Sequence, residues 1–252
     1  MLNLLITGAT GNVGQEVTKS SCKLPMAVNI QAGVRDTAAG LDMLHDCPIK
    51  CTKFDTTDRG TFTTEFVNRD VIFLLRPHTS DAEKYFKPLI NSAVKAKLKH
   101  IVFLSVKGAE KSKLISHQTI EKLVQESKIT YTFLRPAYFI QNFTTTLRRG
   151  LVHKQIIFLQ AGNAKFTLVD IRDIGDVAAV ILTNSASHIN KSYELTCNQK
   201  LSFQEMADIL SEGLDIKINY QSPGLFNFYL TKRKEKMQAM LILVMTMLHF
   251  LG

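Results

Sequence analysis

The run Leu2-Asn3-Leu4-Leu5-Ile6-Thr7 leads directly into Gly8-Ala9-Thr10-Gly11-Asn12-Val13-Gly14, and this opening constrains the fold more than any other stretch. An apolar run of that length suits a buried parallel strand, and the glycines follow with G-x-x-G-x-x-G spacing. Val13, Val17 and Cys22 then recur on one face of a helix. Glycine permits the tight turn from strand to helix and lets main chain approach a pyrophosphate closely. The unbonded N–H groups of the helix's first turn face the phosphates, and the helix dipole favours negative charge there. A strand before and a helix after are the context in which such glycines mean a dinucleotide site rather than a flexible turn.

Beyond the turn, apolar runs alternate with amphipathic segments. Ala27–Val34, Ile49–Phe54, Val71–Leu75, Ile101–Ser105 and Thr130–Leu134 read as strands. Ala82–Lys97 reads as a helix, with Phe86, Leu89, Ile90, Ala93 and Val94 at helical spacing. Pro88 inside it predicts a kink or a late start. Lys95, Lys97 and Lys99 suit the negative end of its dipole. A second helix is predicted from Lys113 to Ser127. A third runs to Leu182, capped by Asp173, with Ile174, Val177 and Ile181 inward. Such alternation implies an α/β fold, a doubly wound parallel sheet covered on both faces.

After Gly150 the pattern loosens. Gln155–Leu159 and Lys165–Val169 are expected to pair, Tyr193–Cys197 to form another strand, and a helix Ser202–Glu212 and strand Lys217–Tyr220 to complete a small C-terminal lobe. The expected organisation is a nucleotide-binding domain over residues 1–150, continued by 166–190, with a substrate-binding lobe from 151–165 and 191–252. Ligands of open α/β sheets bind at the strands' carboxyl ends, so the substrate pocket is expected between that edge and the lobe.

With 252 residues, the chain can bury one large core and carry a small lobe. A net charge of +9 raises nucleic-acid binding, but the lysines are dispersed and no stripe interleaves aromatics with arginines. A basic surface that attracts a phosphate-rich cofactor is the simpler reading; nucleic acid is not an expected partner. Cys22, Cys47, Cys51 and Cys197 form no C-x-x-C pair and have no metal-ligand spacing with the histidines. They read as free thiols in the cytoplasm, with no metal site. The first strand begins at once, so no signal peptide is expected. The apolar run Met240–Leu251 follows Lys232, Arg233, Lys234 and Lys236 and superficially resembles a membrane anchor. It is shorter than the ~20 residues a spanning helix needs and holds Thr246 and His249, so it reads as a packing helix.

Cofactor choice is read at the end of the second strand. An acidic residue there would bind the ribose 2′-hydroxyl of NAD. This chain has Gly33-Val34-Arg35-Asp36, and the planar fork of Arg35 can clamp a 2′-phosphate. NADP(H) is therefore preferred, and NAD(H) remains open. The alternative makes Arg35 a surface residue paired with Asp36. Phe54-Asp55 could meet the adenine, although Asp55 could equally cap the next helix.

These blocks together resemble the NmrA-like branch of the atypical short-chain dehydrogenases/reductases. The resemblance is carried by Thr7 to Gly14, Val34-Arg35-Asp36, Ile101 to Ser105 and His117-Gln118-Thr119-Ile120-Glu121-Lys122. Tyr131 to Pro136 with Asn142-Phe143, and Val169 to Ile174, extend it over most of the chain. It implies a Rossmann-type domain with a small C-terminal lobe, binding NADP(H). Family members include quinone reductases, other small-molecule reductases, and regulators that sense the nicotinamide pool. The family's C-terminus is expected to run on past this apolar tail. By resemblance, Gly8, Thr10, Gly11, Asn12 and Val13 hold the pyrophosphate and Arg35 the 2′-phosphate. Leu75 and Arg76 flank the adenosine ribose. Ser105, Val106 and Lys107 lie near the nicotinamide ribose, and Pro136, Ala137, Tyr138 and Phe139 beside its ring.

The wider superfamily uses Tyr-x-x-x-Lys to pass a proton to a carbonyl. Here the stretch in register starts at His117 and ends at Glu121, without tyrosine or lysine. The family's quinone reductases resemble this arrangement. A quinone takes hydride readily, and an imidazole can hydrogen-bond the developing oxyanion. His117 and Glu121 are the catalytic candidates. Alternatively His117 starts the helix and touches only cofactor, while Glu121 faces solvent beside a lysine. Tyr138 and Asn142 could contact substrate, or be a core aromatic and a helix-surface residue. The leading expectation is an NADP(H)-dependent reductase of a small electrophile, best a quinone, acting as monomer or homodimer. The alternative is an NADP(H)-sensing regulator without turnover; a sugar-nucleotide epimerase would need the missing tyrosine.

Overall fold

The computed structural model describes residues 1–24, 28–77, 81–111 and 115–237, with Ile242 and Thr246. Expectations for Ala27, for Lys113 and for most of Met240–Leu251 therefore lie outside the described residues. In chain order the elements begin β1 (Leu2–Thr7), α1 (Asn12–Cys22), β2 (Val28–Val34), α2 (Thr37–Met43) and β3 (Lys50–Lys53). β4 (Val71–Leu74), α3 (Ala82–Lys95), β5 (His100–Leu104), α4 (Ser116–Glu126) and β6 (Thr130–Pro136) follow. Next are β7 (Tyr138–Phe139), α5 (Arg148–Lys154), β8 (Ile156–Phe158), β9 (Lys165–Val169) and α6 (Ile171–Thr183). The last are β10 (Lys191–Leu195), β11 (Lys200–Ser202), α7 (Phe203–Leu214), β12 (Asn219–Gln221) and α8 (Leu225–Lys234). Two compact units result: residues 1–136 with 170–195, and 137–169 with 196–252.

The first unit is a Rossmann-type, doubly wound domain. Its seven strands lie in the order β10-β6-β5-β4-β1-β2-β3, and every pairing is parallel. Strand order reverses between β1 and β4, which opens a crevice at their carboxyl ends. Both sheet faces are covered, so the central strands are apolar throughout: Leu4, Leu5, Ile6 and all of β4 are buried. On one face α3 and α4 set Phe86, Leu89, Ile90, Ile120 and Val124 against Ile72, Leu74, Ile101, Phe103 and Phe133. On the other, α1 and α6 pack on each other and on the strands.

Several expectations are corrected here. The cap of α6 is Asp170, whose extended backbone lets its side chain accept from the Arg172 N–H; Asp173 sits in the first turn. The helix of α3 starts ahead of Pro88, because Asp81 caps it through the Lys84 N–H. The strand expected at Tyr193–Cys197 forms as β10 and joins the main sheet beside β6 rather than the lobe. Gln155–Leu159 and Lys165–Val169 do not pair: β8 lies parallel to β12, and β9 pairs with β11 and β7. Because β7 pairs with β9, residues 137–150 fall within the second unit.

That unit has a core of its own. Phe203 and Met206 of α7 pack with Ile157, Leu159, Phe166 and Phe228. α7 is anchored by a capping box: the Ser202 hydroxyl accepts from the Glu205 N–H, and the Glu205 carboxylate accepts from the Ser202 N–H at 2.6 Å. No helix among the described residues is long and apolar enough to cross a membrane.

One buried base makes stability depend on pH. His100, 2% exposed at the start of β5, lies between the Thr130 and Thr132 hydroxyls at 2.7 and 2.9 Å. Burial, then the nearby His188, pulls its imidazole down to about 4 from 6.5. The unfolded chain thus holds this proton more tightly than the folded one. The group's contribution is intact above about pH 6.5 and is lost as pH falls toward 4, up to about 3 kcal/mol. Urea midpoints compared between pH 7 and 4.5 should fall less for His100→Gln than for the parent chain. Parallel falls would remove His100 from the account.

Candidate functional site

The β1–α1 turn lies at the point where strand order reverses. Gly8 has φ of +60°, a left-handed conformation suited to glycine, and its carbonyl accepts from the Gly11 N–H at 2.9 Å. The Thr7 hydroxyl ties the turn to β4, donating to the Phe73 carbonyl at 3.0 Å and accepting from the Leu75 N–H at 2.9 Å. Gly11 caps α1 with extended backbone and no side-chain hydrogen bond, and no acid occupies the first turn. Gly8, Gly11 and Asn12 are exposed while Val13 turns its side chain into the core. This helix end thus offers uncapped main-chain amides and no acid, which suits an anion. A Cβ on Gly14 would lie 2.1 Å from the Gly8 carbonyl oxygen, so the turn can sit this close to α1 only without a side chain. The cradle fits the diphosphate of a dinucleotide.

The other first-unit positions singled out from the sequence line the same carboxyl edge. Arg35 follows β2 directly and is exposed. Asp36 does not pair with it: its carboxylate caps α2, accepting from the Ala38 and Ala39 N–H groups at 3.0 and 3.1 Å. Asp55, half-buried after β3, accepts from both the N–H and the hydroxyl of Thr57 at 2.8 Å; the following 3-10 turn is capped by Asp58. After β4, the Leu75 side chain reaches 3.0 Å from the Cβ position of Gly8. Burial lowers the affinity of the adjoining Arg76 guanidinium for its proton.

At the ends of β5 and β6 the chain is tightly cross-linked. The Ser105 N–H donates to the Leu134 carbonyl at 2.8 Å, and the Lys107 N–H to that of Pro136 at 3.0 Å. Val106 and Lys107 are half-buried, and the Lys107 ammonium lies 3.3 Å from Glu194. Glu121 is buried, 3% exposed, and has no ion pair with a lysine among the described residues. Its carboxylate accepts from the Ser105 hydroxyl at 2.6 Å and from Arg135 Nε and Nη2 at 3.0 and 2.7 Å. Arg135 also reaches Glu110 at 3.2 Å. The bond to Glu121, opposed by desolvation, tightens the guanidinium's hold on its proton. His117, one helical turn before Glu121, lays its ring 6.0 Å from that of Phe103.

Ala137, Tyr138, Phe139 and Asn142 belong to the second unit. Tyr138 is a member of its aromatic cluster, edge-on to Phe203 at 5.5 Å and near Phe143 and Phe166. Burial pushes its phenol well above the usual range, and a hydrogen bond with Asn142 partly offsets this.

Sequence reading missed Arg135 as the partner of Glu121, and Glu110 as the second carboxylate on Arg135. The one visible signal was a lone arginine within the otherwise apolar end of β6. Among the described residues no group of histidine, cysteine, aspartate or glutamate could hold a metal ion.

The NmrA-like family model matches residues 2–243. The prestalk A differentiation protein A of Dictyostelium discoideum is 29% identical over 221 residues, covering 87% of this chain and 72% of the relative. An NAD(P)H azoreductase of Xenophilus azovorans is 29% identical over 223 residues, covering 86% of this chain and 76% of the relative. The crystal structure of an NADPH-dependent quinone oxidoreductase of Escherichia coli superposes with a TM-score of 0.83 at 25% identity, over 96% of this chain and 86% of that one.

Proposed function

The chain belongs to the NmrA-like family, and on that premise we propose that it is an NADPH-dependent oxidoreductase that reduces a small electrophile, a quinone first among them. The observation that carries this reading is the uncapped glycine turn at the strand-order reversal, with Arg35 free of Asp36 at the neighbouring strand end. The amides of Asn12 and Val13 take the pyrophosphate, and Arg35 the 2′-phosphate. Leu75 and Arg76 flank the adenosine ribose, with Asp55 toward the adenine. Ser105, Val106 and Lys107 lie beside the nicotinamide ribose and Pro136 beside the ring. When bound, NADPH supplies hydride; the chain supplies position and electrostatics.

The site has no tyrosine–lysine pair, so a ketone would lack its proton donor. An acceptor whose reduced form is a stabilised oxyanion needs only a hydrogen-bond donor, and His117 fills that role. The Escherichia coli protein is an NADPH-dependent quinone oxidoreductase and the Xenophilus protein an NAD(P)H azoreductase, which supports the same reading.

Steady-state NADPH oxidation with a panel of quinones tests the proposal. Turnover should be measurable, and His117→Ala should lower it by about 100-fold while leaving NADPH affinity unchanged. Unchanged turnover would leave His117 a packing partner of Phe103. Tight NADPH binding with no turnover on any acceptor would favour a sensor.

A further inference from the structure

We propose that Arg135 is a positioning residue: by holding both oxygens of Glu121 and one of Glu110, it sets the α4 helix that carries His117 and fixes where the Ser105 hydroxyl points its proton. The inference rests on the reading of this edge as the nicotinamide end of the site. Glu121 accepts three hydrogen bonds. One oxygen accepts from Ser105 at 2.6 Å and Arg135 Nε at 3.0 Å, and the other from Arg135 Nη2 at 2.7 Å. A carboxylate so paired and only 3% exposed is held for positioning rather than for direct contact with a substrate, which sets aside the acid–base role its spacing from His117 invited.

Two consequences follow from the same contacts. The Ser105 hydroxyl has one proton and gives it to Glu121, so toward the edge it presents lone pairs. It therefore accepts a hydrogen bond there, from a ribose hydroxyl or a carboxamide N–H, and does not donate one. Arg135 comes from the end of β6, Glu121 from α4 and Glu110 from the 3-10 turn Ala109–Lys111. One guanidinium thus ties a helix and a turn to the sheet, and Glu194 of β10, paired with Lys107, adds a third carboxylate to its field. The planar fork is needed for this: a lysine ammonium cannot hold both Glu121 oxygens side by side and reach Glu110 as well.

Arg135→Lys keeps the charge and loses the fork, and Glu121→Gln removes the carboxylate. The apo protein gives the first readout. In Arg135→Lys the His117 ring resonances should move, and exchange of the hydrogen-bonded α4 amides around Glu121 should quicken by about tenfold, with global stability held by the retained charge. In the loaded enzyme, kcat for quinone should fall by about tenfold or more at unchanged NADPH affinity. Glu121→Gln should lower kcat without removing a limb from the pH–rate profile. Unmoved His117 resonances and unchanged α4 exchange in Arg135→Lys would overturn the proposal, as would loss of a pH limb in Glu121→Gln. Should the parent chain bind no NADPH, the nicotinamide reading fails, while the apo measurements still decide whether Arg135 sets α4.

Discussion

Gly14→Ala should abolish measurable NADPH binding while Gly213→Ala leaves it untouched. The added Cβ at position 14 would lie 2.1 Å from the Gly8 carbonyl oxygen, 2.8 Å from its carbon and 2.9 Å from the Ala9 Cα. All three are backbone, so no rotamer change relieves the clash; the turn must move off α1. The turn is also pinned to β4 by the Thr7 hydroxyl, so this movement strains the strand end. Overpacking of this kind costs about 1–3 kcal/mol in ordinary cores, and contact with fixed main chain puts this case at the upper end. The amides that face the diphosphate move with the turn. At Gly213, in α7, a Cβ meets nothing within 4 Å, and alanine there should stabilise the helix by about 0.5–1 kcal/mol. Equilibrium dialysis with NADPH, alongside thermal melts of both variants, separates the two effects. Retained binding in Gly14→Ala would show that the cradle is not where the diphosphate sits.

The second large effect concerns cofactor choice. Arg35→Ala should weaken NADPH by roughly 100-fold and NADH little, since two charge-assisted hydrogen bonds of about 1.5 kcal/mol each are lost with the 2′-phosphate alone. Asp36 makes no ion pair with this guanidinium; its Oδ1 accepts from both α2 amides. Arg35→Lys should recover only part of the loss, as one point charge replaces a fork. Titrations of both nucleotides against each variant supply the comparison. Equal losses for NADPH and NADH would take Arg35 out of the 2′-phosphate role.

What was legible in the sequence follows from what local pattern encodes. The central strands announce themselves because a parallel sheet covered on both faces leaves no polar alternation, as in Val71–Leu74. The glycine turn is legible because its chemistry is entirely local. Asp170 and Asp173 lie three residues apart at the start of one helix, and only backbone geometry selects the first as its cap. β10 reads Lys-Ser-Tyr-Glu-Leu, an edge strand with little apolar signal, and nothing in it says which sheet it joins. The β8–β12 pairing and the Glu121–Arg135 contact are made by residues far apart in sequence or on different elements, so periodicity carries no trace of them. Accordingly the glycine turn was readable from local pattern, and the contacts of Arg135 with Glu121 and Glu110 were not.

Calorimetric titration of the folded chain with NADPH and with NADH measures the matter most directly. The account predicts one nucleotide per chain, with NADPH bound far more tightly than NADH. Absence of association with either nucleotide, in protein whose thermal melt is cooperative, would contradict it.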